Sequence, residues 1–258
     1  MYFSAKEILA QLDGTDMRIC DLVIKNETEI SEISREEIFS MLEERYQIMY
    51  NSAHDALEKE IRSLSGLTGG SAKKMWEYYK KGSSICDNTI IRGAAYALSC
   101  LEVNASMGLI VAAPTAGSCG VLPSVLVPFV EKYNIDEDTV LKALYLSAGF
   151  GQIIAHRASI AGAEGGCQAE IGSASAMASA TLVYLRGGTI EQSANACAFA
   201  LKSLLGLVCD PVAGLVEVPC VKRNVIGAVN AITSCDMAMA GIESAIPVDE
   251  VIDAMKAV

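Results

Sequence analysis

The pattern of apolar and polar positions divides the chain into two unequal parts. Up to about residue 64 charges are dense and apolar side chains recur at helical spacing. Ser4-Ala5-Lys6-Glu7 has the form of a capping box, in which a hydroxyl and a carboxylate satisfy N–H groups left over at a helix start. It opens a helix expected to end near Gly14. A second short helix is expected over Asp16 to Glu27. Ser34-Arg35-Glu36-Glu37 is another capping box. Behind it Ile38, Leu42, Met49, Ala53, Leu57 and Ile61 share roughly one face, the stripe by which a helix packs on a larger body.

From Ser65 the pattern changes. Ser65-Gly66-Leu67-Thr68-Gly69-Gly70-Ser71 is a glycine-rich loop, and beyond it the helices become nearly apolar on all sides, as buried helices do. Asp136, Glu137 and Asp138 suit the positive end of a helix dipole and predict a helix running to about Ser147. Ile171 to Leu185 is rich in Ser and Ala, which lets other backbones come close. Thr189-Ile190-Glu191-Gln192 caps a helix that stops at Gly206, and a last helix follows Pro247. There is no period-2 strand run, internal repeat or low-complexity linker. The expected fold is all-α, with central buried helices surrounded by others. Residues 1–64 are expected to form amphipathic helices continuous with a larger unit, 65–258.

Composition narrows the class. Half of the residues are apolar and few are aromatic, which favours close-packed helices over a β-sandwich. A net charge of −11 opposes binding to nucleic acid or anionic membrane. The uncharged stretch from Val103 to Val130 has the length of a membrane span, but Pro114, Pro123 and Pro128 interrupt it, so it reads as buried core with a loop. The first residues lack the basic start and apolar run of a signal peptide, so a cytoplasmic location is expected. The nine cysteines are odd in number and scattered, which argues against a disulfide framework.

Four irregular segments interrupt the helices: Ser65–Ser71, Ala112–Pro123, Gly162–Gly172 and Val208–Asn224. Loops on a rigid scaffold are where binding groups usually sit. Ala113-Pro114-Thr115-Ala116-Gly117-Ser118-Cys119-Gly120 leads small residues into an apolar helix. Two readings fit it: backbone N–H groups free to hold a carboxylate, or a tight helix–helix connection. Cys167 lies in a glycine-rich turn, Cys209 just past a helix end, and Cys220 before Lys222 and Arg223. Thiols in loops near cations suit metal binding, but no Cys-x-x-Cys occurs, and ordinary buried thiols fit as well. If metal binds, three thiolates leave one corner open to act as a Lewis acid on a substrate hydroxyl.

At these residues a family resemblance becomes specific. Gly162-Ala-Glu-Gly-Gly-Cys167-Gln and Leu207-Val-Cys209-Asp-Pro-Val-Ala-Gly-Leu-Val-Glu-Val-Pro-Cys220-Val-Lys-Arg-Asn224 resemble the signature segments of the iron–sulfur L-serine dehydratase alpha chain family. The Ser65–Gly70 and Ala113–Pro123 loops and the Pro247-Val-Asp-Glu-Val-Ile-Asp-Ala-Met ending are similar too, so the likeness spans the whole chain. It implies a helical catalytic domain binding a [4Fe–4S] cluster through Cys167, Cys209 and Cys220. It also implies conversion of L-serine to pyruvate and ammonia without pyridoxal phosphate. In the single-chain form of the family this domain follows a regulatory one. The two-chain form implies a separate beta subunit and a hetero-oligomer. Some members end in a cysteine that folds back on the open iron, whereas this chain ends Met255-Lys256-Ala257-Val258.

On this reading the serine carboxylate meets Thr115, Ala116, Gly117 and Ser118, with Ser65 and Gly66 closing the other side and Asn104 nearby. Only two histidines are present. His54, on the amphipathic helix, reads as a surface or packing residue. His156, ahead of Gly162, reads either as the base facing the site or as a hydrogen-bonded core histidine; the resemblance also allows a base from the beta portion. A cysteine desulfidase-type β-eliminating enzyme of the same build is a rival reading. A non-catalytic helical module binding a small carboxylate is another.

Overall fold

The computed structural model describes residues 4–15 and 19–258. The chain opens with α1 (Ala5–Leu12), α2 (Ile19–Ser31) and α3 (Arg35–His54). After the Ser63–Gly70 turns come α4 (Ser71–Lys80) and α5 (Asn88–Ala105). A 3-10 turn, Ala116–Ser118, precedes α6 (Val121–Tyr133) and α7 (Glu137–Arg157). The short α8 (Gly162–Cys167) runs through a π turn, Gln168–Gly172, into α9 (Ser173–Leu185). Then follow α10 (Ile190–Lys202), α11 (Cys220–Met239) and α12 (Val248–Ala257). Among the described residues there is no strand, only a single bridge between Arg62 and Gly69. The fold is all-α.

Side chains start these helices as the sequence predicts. The Ser34 and Thr189 capping boxes are complete, Ser4 Oγ accepts the Glu7 amide, and Asp136 accepts the Thr139 amide. The Asp249 carboxylate also accepts the amides of Ala5 and Lys6 at 2.8 and 3.1 Å, tying α1 to the start of α12.

α9 is the axis. Every residue from Ser173 to Val183 is buried, and α6, α7, α10 and α11 pack around it. Ser and Ala make this possible because they let neighbouring backbones approach. A Cβ on Gly227 of α11 would come within 2.8 Å of Ile171 and 3.0 Å of Val121. Three of the four buried hydroxyls on α9 find partners: Ser175 donates to the Gly227 carbonyl, Ser179 to Ala176 and Thr181 to Met177, whereas the Ser173 hydroxyl has none among the described residues.

Several boundaries differ from expectation. α7 continues to Arg157 instead of stopping near Ser147, because its glycines are contact points: a Cβ on Gly149 would press on Val23, and one on Gly151 on Met177. α2 (Ile19–Ser31) ends four residues past the expected Glu27, and the expected start at Asp16 lies outside the described residues. α3 ends at His54, where Ser99 Oγ of α5 takes the Ala56 amide at 3.0 Å, so Leu57 packs from a turn. α10 ends at Lys202 and turns carry the chain to Gly206. α4 is not apolar on all sides; it lies on the surface against α5 with Ala72 its one buried residue. The Ala112–Pro123 segment holds a 3-10 turn and enters α6 at Val121, and two further expected loops are partly helical. Gly162–Gly172 is α8 plus the π turn, broken only at Gly166, and the Val208 segment becomes α11 at Cys220.

Candidate active site

Three cysteines from three segments lie within electrostatic reach of one another near the start of α9. Cys167 closes α8, Cys220 opens α11, and Cys209 lies exposed in the connection before it. Gly166 sets the first position. Its φ is 77°, and a Cβ there would strike the Leu207 carbonyl at 2.8 Å, so only glycine lets the Cys209 segment lie against α8. Gln168 fastens the junction: its amide donates to the Leu207 carbonyl at 3.0 Å, and its side chain joins the Gly206 amide to the Met255 carbonyl. Arg223 closes the arrangement. Its guanidinium donates to the Val208 carbonyl at 3.1 Å, pairs with Asp210 and lies close enough to the Cys167 thiol to influence its charge.

Asn224, fully buried one turn into α11, joins this group to the next. It donates to the carbonyls of Gly117 and Cys220 at 2.8 and 2.9 Å and accepts the Gly120 amide at 3.0 Å. The electrostatics follow from these positions. Burial pushes the Cys167 thiol up, against the pull of Arg223. Burial, then the neighbouring Cys167 and Glu170, push Cys220 up to about 11. Without a cation to stabilise thiolates, both thiols keep their protons at neutral pH. Among the described residues no three His, Cys, Asp or Glu side chains are gathered tightly enough to hold a single metal ion.

The Thr115–Ser118 turn faces the same group but is not empty. Thr115 and Ser118 cap each other, which spends their amides within the turn. Thr115 Oγ1 donates to Glu170 Oε1 at 2.8 Å. The Glu170 carboxylate lies where a Cβ on Gly117 would be 2.9 Å away and one on Gly162 2.6 Å away. Asn104 reaches the Ala116 carbonyl at 3.4 Å. The sequence therefore places these residues together, but the carboxylate nearest Thr115 in this structure is the protein's own.

Ser65 and Gly66 lie on the Ser63–Gly70 turns, which hang between two buried carboxylates. Ser65 and Thr68 both donate to Glu217 at 2.9 Å. Burial alone would raise the Glu217 carboxyl, but the neighbouring hydroxyls of Ser63, Ser65 and Thr68 hold it below the usual range. At the other end Glu102 Oε1 accepts the Ser71 and Ala72 amides, standing in for the side-chain cap that Gly70 lacks. Glu102 Oε2 is buried without a partner, and burial raises that carboxyl.

His156 stands exposed on the last turn of α7. His54 is a packing residue: Nδ1 meets the Tyr50 carbonyl at 2.7 Å, Nε2 meets Glu131 at 3.0 Å, and the ring lies against Tyr50 and Tyr96. Behind Cys167 a cleft of about 650 Å³ opens among Glu164, Gly166, Gln168, Val208 and Met255. A larger cleft of about 850 Å³ lies elsewhere, between α1 and the start of α10.

Sequence reasoning missed Glu102, Glu170, Glu217 and the clamping roles of Gln168, Arg223 and Asn224. The available signal was a carboxylate standing alone in an apolar helix, as at Glu102, or in an uncharged loop, as at Glu217.

Fold and site together define an all-helical protein whose candidate active site is built from thiols, glycine-rich turns and buried carboxylates. Residues 14–258 match the family model described as Serine dehydratase alpha chain, and the chain belongs to that family. A probable L-serine dehydratase alpha chain from Bacillus subtilis (strain 168) is 48% identical over 255 residues, 99% of this chain and 85% of that one. The L-serine dehydratase alpha chain of Peptoniphilus asaccharolyticus is 46% identical over 99% of this chain and 87% of its own. An L-serine dehydratase of Escherichia coli (strain K12) is 35% identical over 98% of this chain but only 57% of its own length.

Proposed function

We propose that this chain is the catalytic subunit of an L-serine dehydratase that converts L-serine to pyruvate and ammonia, with Cys167, Cys209 and Cys220 holding a [4Fe–4S] cluster. The observation that carries this is that three thiols, one buried at each of two helix ends and one exposed, lie within electrostatic reach of one another. The donor set fits a cluster better than a lone ion. Three ligands to three different irons stand further apart than ligands to one ion, in keeping with the lack of a mononuclear arrangement among the described residues. Two of the thiols are protonated without metal, so loading releases protons and depends on pH.

When bound, the cluster supplies a Lewis acid at its open iron for the substrate hydroxyl, a poor leaving group. The chain's own residues do the rest. Arg223 holds the Cys209 segment against Cys167, and Asn224 keeps the Thr115–Ser118 turn against the start of α11. Thr115, Ala116, Gly117 and Ser118, with Asn104, line one side of the substrate space; Ser65 and Gly66 line the other, held by Glu217. Loss of the Cα proton and the β-hydroxyl releases water and leaves aminoacrylate. This becomes the imine, which takes water back to give pyruvate and ammonia. The proton acceptor is either His156 or a group from a beta chain, the partner that the relatives' designation as alpha chains suggests. Among the described residues no helix is long and apolar enough to cross a membrane, and the unpaired cysteines suit a reducing cytoplasm.

Anaerobic co-purification with the beta chain, followed by a pyruvate assay on L-serine and on L-cysteine, tests this reading. Turnover of serine is expected; turnover of cysteine alone would overturn it. His156→Ala in the same preparation separates the two sources of the base: near-normal turnover removes His156.

A further inference from the structure

Glu170 stands apart from the other acids of the site. Asp210 is neutralised by Arg223, Glu164 accepts the Ser159 hydroxyl, and Glu217 is surrounded by hydroxyls. Among the described residues the Glu170 carboxylate has a single hydrogen-bond donor, Thr115 Oγ1, and no ion pair. It is half-buried, which makes a missing countercharge costly. The walls around it are shaped for it. Gly117 and Gly162 are the two residues whose Cβ would collide with its oxygens, so side chains are kept clear on both sides. Its charge is felt at both Cys167 and Cys220. The π turn that carries it starts directly after Cys167, and such turns frequently mark functional positions.

An amino-acid substrate brings what this position lacks. Its ammonium group sits on the carbon next to the one bearing the hydroxyl. A fixed carboxylate beside the thiols would therefore hold the ammonium and turn the hydroxyl toward them. We propose that Glu170 receives the α-ammonium group of the substrate and so selects amino acids over hydroxy acids lacking it. This rests on the reading of the site as a serine site. Thr115 and the two glycines are then positioning elements, fixing one carboxylate oxygen and leaving the other to the substrate.

The test uses the anaerobically purified two-chain enzyme carrying Glu170→Gln, which keeps the shape and removes the charge. Iron content should match the wild type. The KM for L-serine should rise about 30-fold, as expected when a charge-assisted hydrogen bond loses its charge, with kcat nearly unchanged. Calorimetric binding of D-serine should weaken by a similar factor, while that of glycerate, which has no ammonium, should hold or improve. Thr115→Val should give a smaller loss in the same direction. Unchanged D-serine binding by Glu170→Gln would overturn the proposal. So would a fall in kcat at constant KM, which assigns Glu170 to proton transfer, or loss of iron, which assigns it to the cluster fold. Failure of the wild type itself to turn over serine with its iron in place would defeat the functional reading instead.

Discussion

The cysteines of the helical core and those of the α8–α11 end show what makes a thiol a candidate ligand. Cys100, Cys119 and Cys197 are fully or almost fully buried, and burial pushes each thiol up, Cys100 to about 12. Cys220 is pushed up to about 11, so proton affinity alone does not separate the groups. Surroundings do. Cys197 donates to the Ala176 carbonyl at 3.1 Å, Cys100 meets the Ser52 hydroxyl, and Cys119 faces the Cys100 carbonyl. Cys119 has Cys100 as its one thiol neighbour, and Cys235, with Arg186 nearby, has none influencing it. Cys167 and Cys220, by contrast, each feel the other two site thiols or a charged partner, and the Cys209 segment is clamped between them by Arg223. Core thiols are small hydrophobes with a local acceptor and at most one thiol neighbour; the site thiols form a group of three beside Arg223 and Glu170.

The strongest way to break this contrast is substitution on both sides of it. Replacing Cys167 or Cys220 by Ala in the two-chain enzyme should lower pyruvate formation by roughly 100-fold or more. Replacing Cys197 by Ala should leave turnover near normal and lower stability by about 1–2 kcal/mol, the cost of a small cavity. Equal losses in both sets, measured by steady-state assay and thermal melts, would erase the distinction.

Thiol labelling sharpens it. Cys209 and Cys86 are exposed, so both should react quickly in metal-free protein, with the core thiols reacting only on unfolding. Loading with iron and sulfide should protect Cys209 and leave Cys86 reactive, as peptide mapping would reveal.

Smaller effects separate the two carboxylates that hold the Ser63–Ala72 segment. Glu217→Ala strands the Ser65 and Thr68 hydroxyls and should cost about 2 kcal/mol at neutral pH. The folded state holds the Glu217 carboxyl below its unfolded value, so its contribution is present above that unfolded value. It is lost as pH falls through the lowered one, and wild type and variant should converge in acid melts. Glu102 behaves oppositely. Burial raises its carboxyl, so its contribution is present at low pH and lost as pH rises through the raised value. Glu102→Gln keeps an acceptor for the Ser71 and Ala72 amides and removes the buried charge. Relative to wild type it should gain about 1 kcal/mol between mildly acidic and mildly basic melts.

The sequence displays whatever is local. Ser34 with Glu37 and Thr189 with Gln192 announce helix starts because both partners lie within one turn, and the unbroken small residues of α9 announce a buried axis. Glycines mislead in both directions. Gly149 and Gly151 permit contact inside a helix, and only Gly166 breaks the 162–172 segment that composition marks as a loop. The carboxylates of the site escape because their partners are remote: Glu102 caps a helix beginning at Ser71, and Glu217 binds Ser65. The family signature points to the three cysteines, whereas Arg223 and Asn224 reveal their clamping roles only once α11 is set against the 117–120 turn and the Cys209 segment.

Iron stoichiometry is the most direct measurement of the central claim. Protein purified anaerobically with its partner should hold about four irons per chain with a broad visible absorption, as a [4Fe–4S] cluster requires. Cys197→Ala should match it, and Cys209→Ala should lose most of the iron although Cys209 is exposed and contributes nothing to the core. Iron retained in full by Cys209→Ala, or a wild-type chain that carries none, would contradict the assignment.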